Sequence, residues 1–193
     1  MKSLKHLLAI AAVSVSTAAS AALVSFDDLP VGSVITNQYA GLGVVFSGWE
    51  NNAQVSLTTS NVYSPTYGNY LGNSADGTGF PSQRWDEVRL DFAALASDVS
   101  FKLFSHGGLA ITFNAYDAGN NLLESIVLSS GAWGDVIFSS SGIARISGFQ
   151  PNDDWYWAMD EVRFNSNAVP EPTSLALLGL GVMGLAFSRR KQA

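Results

Sequence analysis

Residues 88–103 read VRLDFAALASDVSFKL, and the placing of their apolar side chains decides the fold class. Val88, Leu90 and Phe92 alternate with Arg89 and Asp91, and Val99, Phe101 and Leu103 alternate with Ser100 and Lys102. A period of two is the mark of a strand with one face on a core and the other in water. The stretch therefore predicts two strands. Downstream, Leu109 to Tyr116 reaches a turn at Asp117-Ala118-Gly119-Asn120-Asn121 and continues as Leu122 to Leu128. Trp133 to Phe138, Ile143 to Phe149 and Tyr156 to Phe164 complete the set, separated by Gly, Ser and Asn clusters. No long helical period interrupts them, so residues 22–164 are expected to form an all-β, antiparallel β-sandwich. Asn61 to Phe80 breaks the regularity as a long loop rich in Tyr, Gly, Asn and Ser.

Eleven Phe, five Trp and six Tyr supply the large side chains of a core, and there is no Cys. The fold must be held by packing alone, and thiol catalysis and thiolate metal sites are excluded. Lys2, Lys5, Arg189, Arg190 and Lys191 are half of the basic residues and sit at the ends. Between Ala22 and Val169 fifteen acidic residues face five basic ones, a balance of -10. Nucleic acid is an improbable partner for such a surface, because its binding needs cations to displace counterions.

Residues 1–21 have the layout of a signal peptide. Lys2 and Lys5 supply the charge, Leu7 to Val15 an apolar helix, and Ala19-Ser20-Ala21 a small-residue cleavage site. The other end repeats the theme in reverse. After a polar linker at 165–169, Pro170-Glu171-Pro172 favours extended backbone, Leu175 to Phe187 forms a short apolar helix, and Arg189-Arg190-Lys191 follows. The span is shorter than the roughly twenty residues that cross a bilayer comfortably. The basic cluster would hold the last residues on the cytoplasmic side while the body lies outside. Gly179-Leu180-Gly181-Val182-Met183-Gly184 matches a dinucleotide fingerprint by letter, but no βαβ unit surrounds it, and close packing of the span explains its glycines better.

Triplet, short Gly/Leu-rich span and basic end together resemble the bacterial PEP-CTERM sorting signal, a family also named the ice-binding protein C-terminal domain, a label that implies no ice binding. The resemblance covers residues 170–193. It implies recognition by an exosortase, a membrane-embedded transpeptidase-like enzyme, with removal of the tail near Pro170, Glu171 and Pro172. The chain would then be membrane-tethered only before processing and afterwards reside at the cell surface or in the extracellular matrix. Such proteins come typically from Gram-negative bacteria that make exopolysaccharide, which makes exopolysaccharide a candidate partner.

The body carries a looser resemblance. Phe26-Asp27-Asp28-Leu29-Pro30, Ala115-Tyr116-Asp117 and Met159-Asp160-Glu161-Val162-Arg163-Phe164 are similar to motifs of jelly-roll modules of PEP-CTERM, MAM-like and carbohydrate-binding type. In that wider group acidic residues of the terminal strands can hold a structural calcium. This implies Asp27, Asp28, Asp160 and Glu161 as candidate ligands here. Alternation also places Asp160 on an inward face with Tyr156, Ala158, Val162 and Phe164, where a carboxylate must be paired or bound to a cation. A strand-end Asp bonded to backbone amides or to Arg163 is the plainer alternative.

Catalytic signals are thin. His106 is the single His of the exported part, and no G-x-S-x-G or H-E-x-x-H accompanies it. Asp86-Glu87 and Asp153-Asp154 are carboxylate pairs by type, yet adjacent acids usually mark a solvated turn. Binding is better supplied. Tyr63, Tyr67, Tyr70 and Trp85, with Trp155 and Trp157 on the outward face of the last strand, are rigid amphipathic rings among small polar residues. They could equally cover the core. The expectation is an exported, non-catalytic surface or matrix protein with a structural or adhesive role; a carbohydrate-binding module is the alternative, and a secreted hydrolase the weakest reading.

Overall fold

A computed structural model describes residues 19–62, 68–72, 87–105, 110–128, 131–149 and 157–167. Twelve strands and one short 3-10 helix occupy them, and Ala19–Asn167 forms one compact unit. The expected terminal helices, with Pro170, Glu171, Pro172 and Arg189, Arg190, Lys191, lie outside the described residues.

The strands are β1 Ala19–Val24, β2 Val34–Ile35, β3 Val44–Glu50, β4 Ala53–Val55, β5 Leu57–Ser60, β6 Tyr70–Gly72, β7 Glu87–Ser105, β8 Ile111–Tyr116, β9 Leu122–Leu128, β10 Gly134–Ile137, β11 Ile143–Phe149 and β12 Trp157–Asn167. All pairings are antiparallel, and the network runs β2-β5-β6-β12-β7-β11-β8-β9. Four more strands join off this path: β1 on β12, β10 on β7, and the β3–β4 hairpin through β3 on β7.

β7 joins the two halves. The two strands expected within it are one strand of 19 residues. Its first part pairs with β3 and β11, and its second with β12 and β10. Val88, Leu90 and Phe92 bury even-numbered positions, whereas Val99, Phe101 and Leu103 bury odd ones. Asp98 makes the change of parity possible: it takes a left-handed φ of 51°, inserting an extra residue opposite β12 where the register shifts. A strand that kinks this way can serve both layers of a sandwich and keep its apolar side inward throughout.

One core fills the space between the layers. Val24, Ile35, Phe46, Leu57, Leu71, Leu90, Phe101, Phe113, Ile146, Met159 and Phe164 come from nine different strands and belong to a single cluster. Phe26 enters it from the loop after β1 with a left-handed φ of 57°. Its ring meets Tyr39 and Phe46 edge-on at 5.3 Å each. Burial of a whole aromatic ring offsets the roughly 1–2 kcal/mol that the left-handed backbone costs a residue with a Cβ.

The expected long loop is not wholly a loop. Tyr70, Leu71 and Gly72 form β6, wedged between β5 and β12, and all three are buried. At the C-terminal boundary, Asn165, Ser166 and Asn167, read from sequence as linker, continue β12 in register with Ala21, Ser20 and Ala19 of β1. β1 itself begins inside the expected signal segment, so a cut after Ala21 would leave Ala22–Val24 still paired with Phe164–Val162.

Candidate functional site

The four carboxylates implied for calcium do not assemble as a set. Asp27 accepts the Asn69 backbone N–H at 2.8 Å, which ties the first loop to the start of β6. Asp28 accepts the Tyr39 hydroxyl at 2.7 Å. Burial and that hydrogen bond together push the phenol well above its ordinary range. Glu161 pairs with Arg163 at 2.8 Å. Among the described residues no group of three or more His, Cys, Asp or Glu could hold a metal ion. In this arrangement Asp27 and Asp28 anchor loops and Glu161 pairs at the surface.

Asp160 is the exception. It is 2% exposed, and its carboxylate accepts the Glu161 backbone N–H at 2.7 Å. Burial pushes its carboxyl up to about 7; that amide opposes the shift, and nearby Asp27 and Glu161 add to it. The face assignment from simple alternation needs correcting. Glu161 adopts a left-handed φ of 49° at a register shift, so the phase of β12 changes there. Trp157 and Met159 before the bulge, and Val162 and Phe164 after it, all enter the main core. Ala158 packs in a smaller cluster with Tyr70, Phe104 and Trp133.

Two of the expected ligand-binding rings are buried. Trp157 is 3% exposed and Tyr70 is fully buried, with Trp133 edge-on at 5.9 Å. Both are core side chains with no ring face to offer. Tyr63, Tyr67, Trp85, Trp155 and His106 fall outside the described residues.

The sheet of β3, β7, β11, β8 and β9 carries a face the sequence reading did not single out. Its inward side holds Phe46, Leu90, Ile146, Phe113 and Ile126. Because side chains alternate, its outward side is fixed by the same register, in three rows. Trp49, Glu87, Phe149, Thr112 and Val127 lie across from one another in the first. The second row is Ser47, Arg89, Ser147, Asn114 and Ser125. The third is Val45, Asp91, Arg145 and Tyr116.

In the first row Trp49 and Phe149 flank Glu87 two strands apart, about 10 Å. With Asn51 and Asn52 they line an open cleft of about 220 Å³. The two Asn form the β3–β4 turn, both with positive φ (49° and 64°), as a two-residue hairpin loop requires. Trp49 is half-exposed and Phe149 is 46% exposed. The indole N–H donates to Ser47 Oγ at 3.0 Å, and the Arg89 guanidinium lies 4.1 Å from the ring centre. Arg89 in turn grips Glu87 with Nε at 2.7 Å and Nη2 at 2.6 Å, and Ser147 Oγ donates to the same carboxylate at 2.5 Å. Partial burial works against the charge, but these hydrogen bonds prevail and hold Glu87 below the usual carboxylate range. A carboxylate locked in the ionised state by an arginine fork is a poor proton donor, so Glu87 is a positioning group for the aromatic row rather than a general acid.

The signal that could have found this face was present. Val44, Phe46 and Gly48 alternate with Val45, Ser47 and Trp49, and Asn51-Asn52 marks a turn.

Among solved structures, a CBM29-2 carbohydrate-binding module complexed with mannohexaose is similar at 11% identity over 77% of this chain and 92% of its own, with a TM-score of 0.43. The CBM22-1 xylan-binding domain from Paenibacillus barcinonensis matches at 11% identity over 80% of this chain and 99% of its own, TM-score 0.44. A cleaved adhesin domain of Lys-gingipain from Porphyromonas gingivalis matches at 17% identity over 77% and 99%, TM-score 0.41. These likenesses are loose. No curated protein matches the sequence. No helix among the described residues is long and apolar enough to cross a membrane. Residues 168–191 match the PEP-CTERM protein-sorting motif, and the chain thus carries that motif as its C-terminal segment.

Proposed function

We propose that this is an exported substrate of an exosortase whose β-sandwich is displayed at the cell surface or in the extracellular matrix. There it acts without catalysis, as an adhesive module that holds polysaccharide on its outer sheet face. The sorting motif supports the route. The observation that carries the binding reading is the row Trp49–Glu87–Phe149, one half-buried and one exposed ring set about 10 Å apart with a fixed carboxylate between them. Aromatic side chains offer sugar rings a flat apolar surface, and Asn51, Asn52 and Glu87 offer hydroxyls hydrogen-bonding partners. This reading does not draw on calcium. The tail would hold the membrane only until cleavage near Pro170-Glu171-Pro172.

Affinity electrophoresis of the full-length chain, kept in mild detergent for its apolar tail, through gels loaded with neutral and acidic exopolysaccharides tests it. Retention is expected, and Trp49→Ala is expected to weaken it by about tenfold or more while leaving thermal stability near that of the native chain. Retention untouched by Trp49→Ala but lost with Tyr67→Ala or Trp155→Ala would move the site away from this face. No retention by any glycan would leave a surface protein whose partner is another protein.

A further inference from the structure

We propose that the glycan taken by this face is acidic, and that Arg145 receives its carboxylate. The inference rests on the binding reading above and concerns the third row of the same face. Four cations lie among the described residues. Arg89 pairs with Glu87, Lys102 with Asp135 and Arg163 with Glu161, at 2.6, 2.7 and 2.8 Å. Arg145 has no carboxylate at that range among the described residues, although Asp91 lies across the β7–β11 pair from it.

Arg145 is nevertheless held in place. Its Nη2 donates to Asn120 Oδ1 at 2.8 Å, and its guanidinium sits 5.2 Å from the Tyr116 ring centre. Asn120 keeps a left-handed φ of 61° in a turn closed by Asp117, which accepts the N–H groups of Gly119 and Asn121 at 2.8 Å each. The turn thus presents Asn120 as a clamp. Only one of the five N–H donors of the guanidinium has a partner among the described residues, and Nε is shielded from water with none. Nε is enclosed and out of a ligand's reach, so an incoming acceptor would meet the guanidinium at its terminal nitrogens. Arginine's fork matches a carboxylate in particular, through parallel charge-assisted hydrogen bonds.

The distances suit one chain. Arg145 and Phe149 are four residues apart on the same side of β11, which is about 13 Å along the strand. A polysaccharide lying along β11 would meet rings at one end and a cation at the other. The surrounding body carries a balance of -10. Long-range repulsion therefore works against an anionic polymer, and its capture requires a short-range contact at a particular cation.

The test compares polygalacturonate with the same polymer after methyl esterification, by affinity electrophoresis of the full-length chain in mild detergent. The acidic polymer is expected to retain the chain more strongly, and added salt to reduce the difference. Arg145→Gln is expected to weaken retention by the acidic polymer about tenfold and to leave the esterified one unchanged, with Arg145→Lys recovering part of the loss. Melting of each variant by circular dichroism checks that the fold survives. Equal retention by both polymers, or an equal loss on both in Arg145→Gln, would overturn the carboxylate assignment while leaving the glycan reading intact. No retention of the native chain by any polymer in the panel would overturn both.

Discussion

Asp160→Asn is expected to make the protein more stable at about pH 8, on the order of a few kcal/mol. Most removals of a buried side chain's charge partner are harmful, but here the charge itself is the liability. Asp160 is almost completely enclosed and accepts a hydrogen bond from the Glu161 amide. Its carboxyl is raised from 3.8 to about 7, with burial the leading cause. The sign follows from proton binding. Between about pH 4 and pH 7 the folded protein keeps a proton that the unfolded chain has released, so stability falls as pH rises. The contribution is fully present below about pH 4 and lost once pH passes about 7. A shift of about three units corresponds to at most roughly 4 kcal/mol. Asparagine cannot ionise, and its Oδ1 can still accept the Glu161 amide. Urea unfolding of both proteins with a chelator present should therefore show similar stability at about pH 4 and a widening advantage for the variant toward pH 8. A variant less stable than the native chain at about pH 8 would mean that Asp160 is neutralised by something its immediate partners do not supply. Added calcium that stabilises the native chain and not Asp160→Asn would identify that neutraliser.

Gly148→Ala is expected to cost about 3 kcal/mol, mostly through strain rather than lost contacts. Gly148 lies opposite Phe113 on the core side of β11 and β8, and the ring is laid over it. A Cβ built there would stand 2.2 Å from Phe113 Cε1 and 2.6 Å from Cδ1. Phe113 cannot simply withdraw. It is fully buried and packs edge-on against Phe101 at 4.9 Å, and Phe101 in turn meets Phe138. The backbone of β11 would have to shift instead, and with it the outward neighbours Ser147 and Phe149. Gly148→Ala should thus lower both stability and glycan retention. Combining it with Phe113→Leu should recover stability, because the smaller side chain vacates the overlap, and the double-mutant cycle should show strong coupling. An Ala variant as stable as the native chain would mean that the ring is freer than its neighbours imply.

How much of this was legible in the sequence depends on what each residue does. The second half of the body is rich in regular alternation, and Leu122 to Leu128 and Ile143 to Phe149 were read with the bounds they have in the structure. Alternation fails where one residue takes a left-handed backbone. Asp98 and Glu161 each shift the phase by one, and neither residue type announces it; after Glu161 the inward and outward sets exchange, which is why Trp157 was expected outside. The first half was harder because its buried residues are not apolar. Thr58, Thr59 and Ser60 of β5 are all enclosed, with Thr59 tied into the loop after β1 through Pro30 and Ser33. Polar side chains satisfied by backbone groups leave no hydrophobic period to read. The outer face stayed hidden for a third reason. Trp49, Arg145 and Phe149 come from distant strands, and only the pairing of β3, β7 and β11 makes them neighbours.

β12 has a mechanical meaning as well. It leads directly into the sorting motif, and it is gripped by β7 along one side and by β1 and β6 along the other. A pull on the C-terminal end, as an anchored cell would exert against a fixed matrix, runs along the length of this strand. The load then falls in shear on many hydrogen bonds at once, not on one after another as when a strand is peeled from an edge. β12 is thus the strand on which such a load would fall.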